Sequence, residues 1–191
     1  MRTRFIFTIG HSTHTQKEFL EILKSYDIEQ LVDIRSLPGS RHCPQFNQEE
    51  MKIYLKKNQI KYIQLKSLGG RKKGDKNSSL NLAWRSPSFR YYADYMQTKE
   101  FSEGLKTLMK ISLEKVTAIM CAEAVPWRCH RSLVSDALIV RGWDVFDIFN
   151  LTNVSPHFIT PFAKVDGRRI TYPSSEEVDN GIDGTYNRTY N

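Results

Sequence analysis

Residues 116–143 of the chain read VTAIMCAEAVPWRCHRSLVSDALIVRGW, and this stretch decides the fold. Its apolar, β-rich start at 116–120 has the composition of a strand buried on both faces. Pro126 blocks a further strand, and apolar residues then recur at helical spacing from Leu133 until Gly142. The stretch therefore predicts a buried strand, a polar loop and a helix.

The polar loop of this unit concentrates reactive side chains. In an open α/β sheet, ligands bind at the carboxyl ends of the strands, and a helix that begins there points its free N–H groups into the same space. The loop is therefore the first candidate site. Its ionisable or nucleophilic residues are Cys121, Glu123, Arg128, Cys129, His130 and Arg131, followed by Ser132.

Four further β-rich runs, near residues 5, 31, 61 and 145, alternate with helical patterns. This alternation predicts a single α/β domain over 1–173, with a mainly parallel sheet of about five strands flanked by helices in Rossmann-like or flavodoxin-like layers. Within that domain, residues 71–88 are basic and lack periodicity, which is typical of a mobile surface loop. Residues 174–191 form a polar tail that is expected to fray.

Such a sheet brings the polar ends of several strands to one edge. On this reading the first strand delivers His11 and Ser12, and the second delivers Asp33 and Arg35. The third delivers 69–71, which includes Arg71. Their convergence on the polar loop is the main argument for a functional site.

Composition limits the partners. Lys and Arg outnumber Asp and Glu by 28 to 21, a formal net charge of +7, so DNA, RNA or a phosphorylated small molecule is a plausible partner. Three cysteines cannot all pair with one another and contain no CxxC, which indicates free thiols in a reducing cytoplasm. No apolar run is long enough to span a bilayer, so we expect a soluble protein without a membrane partner.

Five motifs in order, TIGHST, LVDIRSLPGSR, LGGR, YYADYM and MCAEAVPWRCHR, resemble the family called domain of unknown function 488. The resemblance runs from about Phe5 to Tyr172. It implies an α/β domain and a site around MCAEAVPWRCHR, and it supplies no substrate.

Three residues are candidates for proton transfer. Glu123 either acts as a general base or acid, or caps the next helix or pairs with an arginine. Asp33 either activates water or forms a structural ion pair with Arg35, since the two side chains point the same way along a strand. His130 either shuttles a proton or bonds a backbone carbonyl.

Anion binding is the expected role of a larger group of residues. A guanidinium fork and the N–H groups of a helix start recognise phosphate or carboxylate together. A cation at a helix N-terminus opposes the helix dipole unless an anion is present, which makes Arg131 the best candidate for ligand contact. The others are Arg35, Arg41, Ser132, His11, Ser12 and Arg71, with Trp84 as a residue that would stack on a base.

Cys121 and Cys129 leave several readings open. A position at a helix N-terminus suits a reactive thiolate at Cys129. Seven residues separate the two cysteines, which is not the close spacing of zinc ligands, so the sequence predicts no metal site. No Walker or GxGxxG motif is present, and no cofactor is predicted.

The first functional hypothesis is a hydrolase of nucleic-acid or nucleotide metabolism, with carboxylates that activate water and arginines that hold phosphate. N-glycosidic base removal would suit such a set. The alternatives are a non-catalytic module that binds an anion or nucleic acid, and an enzyme of thiol or sulfur-transfer chemistry on a small molecule.

Overall fold

The computed structural model describes residues 4–74 and 80–174 of the chain. It confirms a single mixed α/β domain in which helices flank a six-stranded sheet. The strands described are β1 Phe5–Gly10, β2 Gln30–Asp33, β3 Lys61–Gln64, β4 Thr117–Cys121, β5 Asp144–Ile148, β6 Val154–Pro156, β7 Lys164–Asp166 and β8 Arg169–Thr171. The helices described are α1 Gln16–Ser25, α2 Gln48–Lys57, α3 Pro87–Tyr95, α4 Lys99–Ser112 and α5 Arg131–Ile139.

The main sheet has the strand order β3-β2-β4-β1-β5-β6. The five predicted strands are all parallel, and β6 pairs antiparallel with β5 at the edge. The sequence did not predict β6, which is only three residues long and includes Pro156. β7 and β8 form a separate hairpin around Gly167, whose φ of 56° suits a tight turn.

Local signals set the helix starts. Thr15 and Glu18 form a reciprocal capping box at the start of α1. Asn47 precedes α2, and Thr98 caps α4 by accepting the N–H of Phe101. None of the helices in the described part of the chain is long and apolar enough to cross a membrane.

The core lies on both faces of the sheet. All five residues of β4 are buried, and they alternate between two apolar layers. Ile119 packs into the layer with α4 and α5, whereas Ala118 and Met120 pack into the layer with α1 and α2. With both faces covered, the central strands reach the surface at their ends.

The segment predicted as a mobile loop, 71–88, is partly outside the described residues, since 75–79 are not included. Its last residues already belong to α3. Trp84 is half-buried, with its ring 4.6 Å from that of Phe89 and 4.9 Å from that of Phe162, so it contributes to packing rather than standing free beside a base. Of the predicted tail, only Ser174 is described.

Candidate functional site

A cleft of about 280 Å³ lies at the carboxyl edge of β2, β4 and their neighbours. It brings together residues that follow β2, β3 and β4, which are distant in sequence, whereas the predicted site residues His11, Ser12 and Arg131 do not line it. Its lining includes Arg35 and Ser36 after β2, Gly70 and Arg71 after β3, Ser88 and Phe89 of α3, and, from the polar loop, Cys121, Ala122, Glu123, Arg128, Cys129 and His130.

Two cysteines and a histidine form a compact cluster in this cleft. Cys121 ends β4, and the chain turns back through a short 3-10 helix, Pro126–Arg128, so that Cys129 and His130 stand immediately before α5. Nδ1 of His130 lies 3.8 Å from Sγ of Cys121 and 3.6 Å from Sγ of Cys129. We call these three residues the Cys–Cys–His cluster.

The orientation of the His130 ring follows from a backbone contact. Nε2 lies 3.1 Å from the carbonyl oxygen of Ile34, and because a carbonyl can only accept, Nε2 carries a proton. In the neutral ring, Nδ1 therefore presents its lone pair to both sulfur atoms. The ring has room there because residue 70 is glycine: a Cβ at Gly70 would overlap the imidazole.

Arg131 is almost completely buried, with 1% of its surface exposed. Its backbone N–H donates to Sγ of Cys129 at 3.4 Å, and Nη2 donates to the carbonyl of Ala124 at 3.3 Å. Within residues 4–74 and 80–174, Nε and Nη1 have no hydrogen-bond partner and the guanidinium forms no ion pair. A buried cation of this kind strongly favours negative charge nearby.

The surroundings shift the pKa values of the two thiols in opposite directions. A hydrogen bond from Cys129 lowers the pKa of Cys121 well below its usual value, against the effect of burial, and the charge of Arg131, with that of His130 when its ring is protonated, lowers it further. Burial raises the pKa of Cys129, and the neighbouring Cys121 raises it again. Within this coupled pair Cys121 is therefore the thiol that loses its proton more readily, and Cys129 is the hydrogen-bond donor.

Asp33 and Arg35 form a buried ion pair beside the cleft. The guanidinium holds the carboxylate in two places, Nε to Oδ1 at 2.9 Å and Nη2 to Oδ2 at 2.6 Å. Oδ2 also accepts from the hydroxyl of Tyr62, and Oδ1 from the backbone N–H of Arg35. Asp33 is fully buried. This geometry favours the structural ion pair among the readings of Asp33 that the sequence left open.

His11 completes this network as a neutral ring. Nδ1 lies 2.9 Å from the carbonyl oxygen of Ser12, and Nε2 lies 3.1 Å from Nη1 of Arg35. Since the guanidinium can only donate, Nε2 accepts and Nδ1 carries the proton. Burial lowers the pKa of His11, and the charge of Arg35 acts in the same direction. Ser12 adopts a φ of 46°, and its N–H bonds Ala122 at the tip of β4.

The other predicted site residues divide by exposure. Glu123, Arg71 and Arg128 are exposed and line the cleft. Arg41 is exposed but does not contribute to the lining. Ser132 is buried, and its hydroxyl donates to the carbonyl of Cys129.

Some residues that shape the site had no clear signal in the sequence. Gly10 allows β1 to approach the polar loop, because a Cβ there would overlap the carbonyl of Glu123 and lie 2.8 Å from Nη1 of Arg131. The hydroxyl of Ser36 accepts the N–H of Arg71 and so joins the segments after β2 and β3. Glycine after a predicted strand was the only available clue to a close backbone approach.

Comparison with known proteins gives a single kind of match. The family model described as "Domain of unknown function DUF488" matches residues 15–138, most of the chain. The matched range includes MCAEAVPWRCHR and ends inside α5, and it leaves out TIGHST at 8–13. No curated protein and no solved structure matches the chain.

Proposed function

Because the chain belongs to the family described as Domain of unknown function DUF488, which brings no reaction with it, we propose a function from the cleft itself. The cleft belongs to a hydrolase whose substrate carries phosphate, either a nucleotide or a nucleic acid. One observation carries the proposal: Glu123, Arg71 and Arg128 line the same cleft at the carboxyl edge of the sheet. A carboxylate that can move a proton thus lies beside cations that can hold an anion.

Each group has a distinct part in this proposal. Glu123 is exposed and free to accept a proton from water. Asp33, the other carboxylate considered from the sequence, has its oxygens committed to Arg35 and Tyr62, so Glu123 is the general base. Arg71 and Arg128 bind the phosphate at the rim. The buried positive charge of Arg131 adds electrostatic attraction for the phosphate.

N-glycosidic base removal is the first reaction to test in this class. Its transition state places positive charge on the sugar, which the carboxylate of Glu123 would stabilise. A phosphate bound by Arg128 would orient the sugar relative to Glu123.

Thiol chemistry is the second candidate, favoured by one specific contact. Sγ of Cys121 lies in the cleft within 3.8 Å of Nδ1 of His130, the arrangement of a nucleophile beside a base. In that case, Cys121→Ser abolishes turnover, whereas Glu123→Gln leaves most of it.

The test is a product screen with matched variants. Labelled nucleotides, single-stranded DNA, duplex DNA and a structured RNA are incubated with wild type, Glu123→Gln, Arg128→Ala and the control Glu21→Gln, which removes an exposed carboxylate from α1. Released bases and cleaved strands are measured by liquid chromatography with mass spectrometry. Binding is measured in parallel across a salt series.

A hydrolase predicts that Glu123→Gln lowers turnover by about a hundredfold or more while binding persists. Arg128→Ala should weaken binding and flatten its salt dependence, and Glu21→Gln should change neither quantity. Binding without any product would instead identify an anion-binding module, and would overturn the hydrolase.

A further inference from the structure

The atoms of the Cys–Cys–His cluster are spaced like the ligands of a tetrahedral metal ion. The sulfur atoms of Cys121 and Cys129 lie 3.8 and 3.6 Å from Nδ1 of His130, and all three atoms lie within 4.8 Å of one another. A tetrahedral zinc ion with Zn–S of about 2.3 Å and Zn–N of about 2.05 Å separates sulfur from nitrogen by about 3.6 Å and sulfur from sulfur by about 3.8 Å. The two sulfur–nitrogen separations therefore already match this ion, and the sulfur–sulfur separation, which is at most 4.8 Å, would close by up to about 1 Å on binding.

We propose that Cys121, Cys129 and His130 bind a divalent zinc ion in the cleft through two thiolates and one imidazole. Thiolate and imidazole are the ligands that zinc prefers in proteins. The binding itself rests on the geometry of the cluster, whereas the role of the ion in catalysis rests on the proposed hydrolase.

Thiol hydrogen bonds explain the cluster less well than a metal does. Both sulfur atoms approach the same nitrogen, Nδ1 of His130, which has a single lone pair. If both thiols keep their protons, one lone pair cannot accept two S–H groups with good geometry. If Cys129 donates to a thiolate at Cys121 instead, that thiolate faces the lone pair of Nδ1 with no proton between them. A metal ion takes that lone pair and both sulfurs together.

The surroundings of the cluster hold the ligands as the outer shell of a metal site does. His130 donates Nε2–H to the carbonyl of Ile34, which turns Nδ1 toward the sulfurs, and such a bond to the second ring nitrogen is typical of metal-binding histidines. Cys129 accepts the backbone N–H of Arg131. Cys121 ends β4, and Cys129 and His130 directly precede α5; both elements are anchored in the core, so the ligands are held in place before binding.

The proposed site has the open character of a catalytic centre. The described residues supply three ligands, whereas structural zinc sites use four. All three line the cleft, so the fourth position is accessible to water or to a substrate oxygen. Two thiolates neutralise the dication, which leaves the buried charge of Arg131 to attract an anionic substrate.

This inference departs from the sequence prediction of no metal site. That prediction relied on the spacing between Cys121 and Cys129 along the chain. The turn Pro126–Arg128 folds the loop back, so residues separated in sequence become neighbours in space.

Cobalt binding tests the site directly. Reduced, chelator-treated protein is titrated with Co²⁺ in the absence of oxygen, and the visible and near-ultraviolet bands of tetrahedral cobalt thiolate are recorded. The variants are Cys129→Ser and His130→Gln. The matched control is Cys43→Ser, because Cys43 lies outside the cluster and its thiol contacts the carbonyl of Ser12.

The expected result is one ion per chain for wild type and Cys43→Ser, with displacement by Zn²⁺. Cys129→Ser and His130→Gln should weaken binding by more than about a hundredfold, since loss of an outer-shell partner alone costs tenfold to a hundredfold. Zinc should raise the melting temperature of wild type and Cys43→Ser but not of the two cluster variants. This second measurement uses variants shown to be folded by circular dichroism.

Two results would overturn the site: no uptake by reduced wild type, or equal uptake by folded cluster variants. The uptake is measured without substrate, so a failed product screen overturns the hydrolase and leaves the metal site standing. Hydrolysis by a protein that takes up no metal would overturn the metal site alone.

Discussion

Replacing His157 by Gln is expected to remove a pH-dependent part of the stability of the fold. His157 bridges two buried carboxylates, with Nδ1 2.8 Å from Asp147 and Nε2 3.2 Å from Asp136. Asp136 also accepts from the hydroxyl of Tyr172, and Asp147 from the hydroxyl of Thr8. The network ties α5, β5 and β1 to the segments that follow β5.

The magnitude follows from the pKa of the ring. Burial acts to lower the pKa of His157, but hydrogen bonds to Asp136 and Asp147 outweigh it and raise the pKa from 6.5 to about 9. Because the folded-state pKa is the higher one, the stabilisation is fully present below the unfolded value and is lost as pH rises through about 9. It amounts to about 3 kcal/mol near pH 6, about 1 kcal/mol near pH 8, and almost nothing near pH 10.

Urea denaturation of wild type, His157→Gln and His42→Gln at these three pH values measures the effect. His42 is exposed, so its variant controls for the loss of an imidazole from the chain. The difference in unfolding free energy between wild type and His157→Gln should shrink by about 3 kcal/mol from the lowest to the highest pH. A difference that stays constant, or grows with pH, would refute a charged His157 between the two carboxylates.

Two further substitutions test the cleft and its support. Gly70→Ala places a Cβ against the imidazole of His130 and should weaken cobalt binding by about tenfold or more. The control Gly39→Ala, whose Cβ would make only an ordinary contact at 3.8 Å, should leave cobalt binding unchanged. Equal cobalt affinities of the two variants would contradict the assigned position of the His130 ring. Asp33→Asn leaves the buried Arg35 without its anionic partner and should lower the free energy of unfolding by about 3–5 kcal/mol, and an unchanged urea midpoint would argue against the ion pair.

The parallel sheet was predictable because buried strands read as short apolar runs, and β1, β2, β4 and β5 all have this pattern. The edge strand β6 was not, since its three residues are exposed or half-buried and leave no apolar run. Pro156 also argues against a central strand, although an edge position tolerates it. A pattern of apolar residues therefore reveals a strand only where the strand is buried, and it misses a strand that is largely exposed.

For the site, the sequence predicted only that the carboxyl ends of several strands would lie at one edge of the sheet. Strand polarity places His11, Arg35 and Cys121 at one edge, but it does not say which side chains touch. Tyr62 contacts Asp33 across 29 positions in sequence, and such partners depend on the strand order. Asp136 was missed because it lies among apolar residues of α5, and only its partners from later segments explain why a carboxylate is buried there.

The two buried arginines, Arg35 and Arg131, differ in whether the described residues supply a carboxylate for their charge. The charge of Arg35 is met by Asp33, and its remaining donors reach Phe46 and His11, so the chain itself satisfies this cation. Arg131 is buried as well, yet in the described part of the chain it forms no ion pair, and its charge acts on the thiol of Cys121. Sulfur can exchange protons, carry charge or bind a metal, which a carboxylate locked in an ion pair cannot do. We therefore propose that the polar loop after β4, rather than the end of β2, carries the chemistry of this protein.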